Sequence, residues 1–178
     1  MGQYRLAVMD GDGIGPEVIA SIRTLIAAIN ATEPALKLTS VDLPIGLAAY
    51  EQFGTTLPDA TLAALETCDG WILGPLTTHA YHGAAMPNPS AVLRKRYELF
   101  ANIRPARSFP SIDALCPNVD VVVVRENTEG FYADRNMLAG SGEFQPTPDT
   151  VLSARVVTRR ACERLARAGF ELARRRRG

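Results

Sequence analysis

Apolar and polar positions alternate between two periods along the first half of the chain. Tyr4–Met9 is a short apolar run of strand character, and Ile14, Val18, Ile22, Leu25, Ile26 and Ile29 then recur at helical spacing. The link between them, Asp10-Gly-Asp-Gly-Ile-Gly-Pro-Glu17, predicts a strand, a glycine turn and a helix, with Pro16 in the first helical turn and Glu17 at its positive end. Leu36–Leu43 predicts a second strand, Ile45–Phe53 a short helix stopped by Gly54, Pro58–Thr67 another helix, and Trp71-Ile-Leu-Gly-Pro75 a buried strand running into a turn. Strands alternating with helices imply an α/β fold with a largely parallel sheet flanked by helices.

The pattern changes after Asn88. Asn88-Pro89-Ser90 is a helix start, with Asn88 as N-cap and Pro89 where a missing N–H costs nothing; Ser90 and Arg94 follow one turn apart on one face. Phe100–Pro105 predicts a short extended segment with Asn102 and Arg104 on a common side. A second strand, Val121–Val124, delivers Arg125, and a turn-rich segment ends in Tyr132. Residues 134–148 are polar and rich in glycine and proline, a loop that is either mobile or held by a partner. Val151–Val157 predicts a strand, and Arg159–Ala173 a helix with Cys162, Leu165, Ala166, Phe170 and Leu172 as its apolar positions.

Composition narrows the class. The chain has 178 residues, 47% of them hydrophobic, enough to bury a core, and its formal net charge of zero argues against a general polyanion binder. No run reaches the length of a membrane span and the N-terminus lacks a signal-like apolar stretch, so a soluble cytoplasmic protein is expected. Cys68, Cys116 and Cys162 are far apart and odd in number, which predicts reduced and mostly buried thiols. His79 and His82 could suit a metal by spacing; without a third ligand they are expected to be exposed loop histidines. Arg174–Arg177 could neutralise phosphates, yet no RNA-binding motif or aromatic platform accompanies them. A charged helix C-terminus is the expectation, with no nucleic-acid partner.

Candidate chemistry concentrates in the arginines. A guanidinium fork binds carboxylates bidentately and stays charged at ordinary pH, so Arg94, Arg104 and Arg125 together suit a ligand with two or three carboxylates. Taken singly, each is more readily read as a surface ion pair, and the motif context is what changes that reading. Gly74-Pro-Leu-Thr-Thr78 sits at the carboxyl end of a predicted strand, where α/β sheets carry ligands, although Thr78 could instead satisfy its own loop backbone. The glycine turn alone is weak evidence for a nucleotide, because it has neither the full dinucleotide spacing nor a P-loop ending.

Four motifs in order carry a more specific signal: Gly11-Asp-Gly-Ile-Gly-Pro-Glu17, Leu93-Arg-Lys95, Ala101-Asn-Ile-Arg-Pro-Ala-Arg107 and Val124-Arg-Glu-Asn-Thr-Glu-Gly130. Across essentially the whole chain they resemble the β-decarboxylating dehydrogenases, the isocitrate, homoisocitrate and isopropylmalate dehydrogenase family. The resemblance implies an isocitrate/isopropylmalate dehydrogenase-like fold, incomplete at the C-terminus, with residues 1–98 beginning the cofactor-binding domain and 99–178 the substrate and dimerisation domain. It makes Asn88, Ser90, Arg94, Arg104 and Arg125 substrate residues, Tyr132 the catalytic tyrosine, and Gly13, Ile14 and Thr78 cofactor contacts. NAD or NADP and Mg2+ or Mn2+ are the implied cofactors.

The family's catalytic lysine and metal-binding aspartates have no counterpart here, since Lys37 and Lys95 occupy the wrong motifs. The expectation is an amino-terminal half, inactive alone, with an open sheet edge and uncovered apolar surface. In the family, the region from 134 contributes an arm to a dimer, so a homodimer when the enzyme is complete, or a longer homologous subunit, is the implied partner. The alternative is a non-catalytic binding or regulatory subunit. Ser90 and Ala91 offer little apolar area where isopropylmalate-selective members are bulky, which disfavours isopropylmalate and keeps isocitrate, homoisocitrate and tartrate-like acids open.

Overall fold

The computed structural model describes residues 2–82, 86–130 and 140–176. The chain divides into two compact units, residues 1–92 and 93–178, and the division falls inside a helix.

In the first unit the strands are β1 (Gly2–Met9), β2 (Leu36–Asp42) and β3 (Gly70–Leu73), and the helices are α1 (Gly15–Thr32), α2 (Gly46–Phe53) and α3 (Asp59–Leu65). They follow the predicted alternation. The sheet is parallel in the order β2-β1-β3, with Leu6 opposite Ser40 on one side and Gly70 on the other. Central β1 is the strand that sinks deepest, with Ala7, Val8 and Met9 fully buried. Val8 packs with Ile19 and Ile26 of α1, and Ile22, Leu38 and Ile72 lean on them. Burying such aliphatic side chains stabilises a fold by about 1.5–3 kcal/mol each.

Details differ from the pattern. The apolar positions of α1 form two stripes. Ile19, Ile22 and Ile26 meet the sheet, whereas Ile14, Val18 and Leu25 are 65%, 41% and 55% exposed, so periodicity located the helix but merged its faces. Strand β3 is half-buried along its length instead of buried, because within the described sheet it is an outer strand. Arg23 of α1 forks between Asp10 and Asp42, which follow or end β1 and β2. Its bond to the Asp42 carboxylate is the main reason its pKa is raised. Gly54 closes α2 in the left-handed conformation, φ 72°, as a C-terminal glycine does.

Helix α4 (Pro89–Arg96) crosses the division between the units. In the second unit, β4 (Ala101–Arg107) and β5 (Asp120–Glu126) pair antiparallel, and α5 (Arg159–Arg175) packs against β5. Thr158 caps α5, its hydroxyl accepting from Ala161 N at 3.2 Å. The packed side of α5 is Ala161, Arg164, Leu165, Ala168 and Leu172, while Cys162, Ala166 and Phe170 are exposed, correcting the apolar face expected from spacing. At its C-terminal end Arg176 binds the Asp120 carboxylate.

Two further expectations are corrected. Cys68 is half-buried and Cys116 and Cys162 are exposed, so the free thiols are not mostly buried. Within the polar stretch read as loop, β6 (Glu143–Thr147) pairs antiparallel with β7 (Thr150–Ser153), and Val156 bridges Gly130 beyond that pair. Pro146 breaks the register between Phe144 and Thr147 because it has no N–H to give, and this concealed the strand in the sequence. The turn is held by Thr147, whose hydroxyl donates to Asp149 at 2.7 Å, a bond that lowers the Asp149 pKa.

Candidate functional site

The glycine turn is built backbone against backbone. Asp12 N donates to Pro75 O at 2.7 Å and Gly15 N to Asp12 O at 2.8 Å. A Cβ at Gly11, which has φ +76°, would overlap the Pro75 carbonyl oxygen, and one at Gly74 would overlap that of Asp10. Glycine is therefore required where these two loops touch. Past the contact the chain surfaces: Gly13 and Ile14 are exposed, and no side chain caps the start of α1. An open helix N-terminus with accessible backbone suits the phosphate or amide groups of a nucleotide.

Asp12 itself is buried, 6% exposed, beneath this turn. Its Oδ1 accepts from Leu47 N at 2.7 Å, and its Oδ2 accepts from Thr77 N at 2.9 Å and from the Tyr81 hydroxyl. Burial, then Asp12 as hydrogen-bond and charge partner, push the Tyr81 phenol above its ordinary pKa. Thr78 opens the 3-10 turn Thr78–Ala80 on the surface, and its hydroxyl donates to Leu76 O at 3.4 Å. His79 and His82 are exposed, as expected of loop histidines. Among the described residues no three His, Cys, Asp or Glu side chains gather into a group that could hold a metal ion.

The start of α4 is anchored from below. Asn88 Oδ1 accepts from Ala91 N at 3.4 Å, the N-cap bond its position predicted, so this acceptor faces the helix backbone. Thr56, fully buried, donates its hydroxyl to Pro87 O at 2.5 Å while its own carbonyl accepts from Gly46 N at 2.8 Å. Ser90, one turn before Arg94, is half-buried.

In the second unit the register sets Asn102 opposite Arg125 and Arg104 opposite Val123. Directly opposed residues share a face, so Asn102, Arg104 and Arg125 lie on one side of the β4–β5 pair, with the two arginines diagonal to each other. Arg104 Nε donates to Asn102 Oδ1 at 3.1 Å, as their alternation implied. Arg94 lines a cavity of about 260 Å³ with Lys95, Asn127, Arg160 and Arg164, and Arg125 lines a second of about 410 Å³ with Glu129, Arg155 and Leu165. Arg104 belongs to neither, so the three arginines do not share one of these cavities. Tyr132 lies outside the described residues.

Sequence reasoning passed over the group that holds the end of β5. Glu126 Oε1 accepts from Thr128 N at 2.7 Å and from its hydroxyl at 2.5 Å, and Arg164 donates to that hydroxyl at 2.7 Å. The Arg164 guanidinium lies 4.8 Å from the centre of the Phe100 ring. Burial pushes the Glu126 carboxyl up, but the Thr128 hydroxyl and amide, the Asn127 amide and Arg164 outweigh it and hold the pKa below its ordinary value. Asn127, 5% exposed, donates to Leu99 O at 3.2 Å. The motif Arg125-Glu-Asn-Thr128 was visible as a turn; only the packing of α5 shows that Glu126, Asn127 and Thr128 set the exit of the strand that carries Arg125.

The described residues thus form a glycine-turned α/β unit and a second unit that presents arginines on a strand pair. A sequence model of the isocitrate/isopropylmalate dehydrogenase family matches residues 5–178, and the chain belongs to that family. It is 33% identical over 174 residues to 3-isopropylmalate dehydrogenase of Sulfurisphaera tokodaii, covering 98% of this chain and 48% of that protein. It is 32% identical over 170 residues to isocitrate/homoisocitrate dehydrogenase of Thermus thermophilus, covering 96% and 47%. The crystal structure of isocitrate dehydrogenase from Methylococcus capsulatus superposes with a TM-score of 0.77 at 36% identity, over 97% of this chain and 48% of that one. The chain thus spans about half the length of the curated relatives it matches.

Proposed function

We propose that this chain supplies the cofactor turn and the substrate arginines of an NAD(P)-dependent oxidative decarboxylase of 2-hydroxy di- or tricarboxylates of the isocitrate type. The observation that carries the reading is the placing of Arg104 and Arg125 on one face of β4–β5, with Asn102 between them. Two guanidiniums set diagonally on one face suit an anion with at least two carboxylates. Arg94, one turn after Ser90 on α4, is the third carboxylate ligand. The exposed Gly13–Ile14 backbone and Thr78 would hold the nicotinamide nucleotide, which when bound would supply the hydride acceptor for oxidation of the hydroxyl-bearing carbon to a ketone. The β-carboxylate would then be lost as carbon dioxide, with its electron pair taken up by that ketone as an enol. Tyr132 is the candidate proton donor that completes the product.

The described residues do not fit a divalent metal, so no step here is routed through one. In this proposal the metal ligands and a lysine acid/base come from longer family polypeptide, as the remainder of a complete enzyme that forms a homodimer or as a longer homologous subunit, because Lys37 and Lys95 are the chain's only lysines. The 178-residue chain alone is inactive in this proposal. The half-buried Ser90 offers a hydroxyl and little apolar surface, which favours isocitrate over isopropylmalate.

Thermal unfolding of the chain with isocitrate, citrate, isopropylmalate and succinate tests the reading. Tricarboxylates are expected to raise the midpoint, and Arg125→Gln to abolish the rise, measured from the variant's own unliganded midpoint. Equal response to all four acids, or a rise retained in Arg125→Gln, would refute it. Stabilisation by citrate together with co-purification of a longer, active homologue would instead favour a non-catalytic binding subunit.

A further inference from the structure

We propose that Asp12 is the positioning residue of the cofactor turn: one buried carboxylate that sets three separate chain segments against each other. The nature of the ligand rests on the function proposed above; the positioning itself rests on the geometry of the first unit. Asp12 sits between Gly11 and Gly13, so its backbone shapes the turn, and its side chain points away from the exposed Gly13–Ile14 edge into the unit. There Oδ1 takes the N–H of Leu47 in the first turn of α2. Oδ2 takes the N–H of Thr77 and the Tyr81 hydroxyl, at the two ends of the segment that carries Thr78.

The three donors explain why the group is a carboxylate. Leu47 and Thr77 present backbone N–H groups, which can only donate, so both Asp12 oxygens must accept. An asparagine of identical shape has one acceptor oxygen; its NH2 would face either the Leu47 N–H or the Thr77 N–H, leaving buried donors opposed. The fit also dictates a neighbour. Gly46 has φ +76°, and a Cβ there would collide with Asp12 Oδ1, so the carboxylate reaches α2 only because that residue is glycine. Gly46 in turn donates its N–H to Thr56 O, tying the same end of α2 to the residue beneath Pro87.

Amide hydrogen exchange on the 178-residue chain, read residue by residue by NMR, tests this without any ligand. In Asp12→Asn, exchange at Thr77 or Leu47 is expected to be at least tenfold faster than in wild type, while Leu6, Ala7 and Val8 of β1 keep their protection. Wild-type rates at both Thr77 and Leu47, or equal acceleration throughout β1, would overturn the proposal, the latter by showing only general destabilisation. Tyr81→Phe removes a single donor and no backbone bond. It is expected to speed exchange at Ala80 and Tyr81 without changing Leu47, and unchanged rates at Ala80 and Tyr81 would overturn the proposal even where Asp12→Asn fails to fold. With NADH as probe, nucleotide affinity is expected to fall about tenfold in Tyr81→Phe, and equal affinity in wild type and variant would overturn the link to the cofactor turn. Absence of NADH binding by the wild type would count against the proposed function, whereas the exchange rates decide the role of Asp12.

Discussion

Thr56→Val swaps a hydroxyl for a methyl of nearly the same size at a fully buried position, and it isolates one hydrogen bond under the start of α4. The Thr56 hydroxyl donates to Pro87 O at 2.5 Å, and Pro87 immediately precedes the Asn88 cap. Valine keeps the volume and leaves the Pro87 carbonyl without this donor, a loss of about 1–3 kcal/mol for a buried group. For a unit of under a hundred residues each kcal/mol lowers the midpoint by about 4–8 °C. Thr56→Ser is the control, because it keeps the hydroxyl and sheds one buried methyl worth about 0.8 kcal/mol plus a small cavity term. The order of midpoints is therefore wild type, then Ser, then Val, measured by calorimetry or circular dichroism at fixed protein concentration. Loss of the Pro87 tie should also speed amide exchange at Ala91 and Val92, both of which donate to Asn88 O. A Val variant as stable as wild type, or a Ser variant less stable than Val, would refute the claim that the hydroxyl rather than the methyl matters here.

Glu126 has a folded pKa held below its ordinary 4.5, so the stability it contributes is present above that value and lost as pH falls through the folded pKa. The midpoint of wild type should decline below about pH 4.5 more steeply than that of Glu126→Gln, and parallel acid limbs for the two proteins would count against the assignment. In an enzyme completed with the C-terminal half of a relative, Ser90→Leu should shift the ratio of kcat/KM toward isopropylmalate by about tenfold or more, the discrimination available from one aliphatic side chain. An unchanged ratio would remove Ser90 from the specificity surface. The 178-residue chain alone should produce no NAD(P)H from isocitrate with Mg2+ or Mn2+, and measurable metal-dependent turnover would show the proposed division of the active site to be wrong.

Much of this architecture was legible because local signals agreed with the packing. The strand, glycine turn and helix around Gly11–Gly15 needed only a period of two passing into one of 3.6, with Pro16 and Glu17 marking the join. Asn88 and Pro89 announced α4, and alternation alone put Asn102 beside Arg104. What failed did so where a local pattern has two tertiary solutions. The helix α1 carries enough isoleucine and leucine for two apolar stripes, and only the sheet chooses Ile19, Ile22 and Ile26. Strand β6 contains a proline and no buried residue, so neither propensity nor burial signalled it; its pairing with β7 is what defines it.

The residues missed in the candidate site share a cause. Asp12, Thr56, Glu126 and Arg164 are polar groups whose partners lie 31 to 69 positions away or are reached through a neighbour that does, as with Leu47 and Tyr81 for Asp12, Pro87 for Thr56 and Thr128 for Arg164. A motif scan weighs such residues by what they could do to a ligand, and in a glycine turn or beside an arginine it credits the glycine and the arginine. Burial reverses the weighting. A buried carboxylate or hydroxyl must find its donors or acceptors within the fold, and the pairs it finds decide where the neighbouring backbone runs. Gly13 and Ile14 are exposed because Asp12 between Gly11 and Gly13 is not, and Arg125 leaves β5 where it does because Glu126, the next residue, is held on the opposite face by Thr128 and Arg164. In both units the candidate ligand-facing residue is the chain neighbour of a polar anchor, buried Asp12 in the first and half-buried Glu126 in the second, so substitutions at the anchors should alter ligand binding through the placement of the backbone rather than through lost contact.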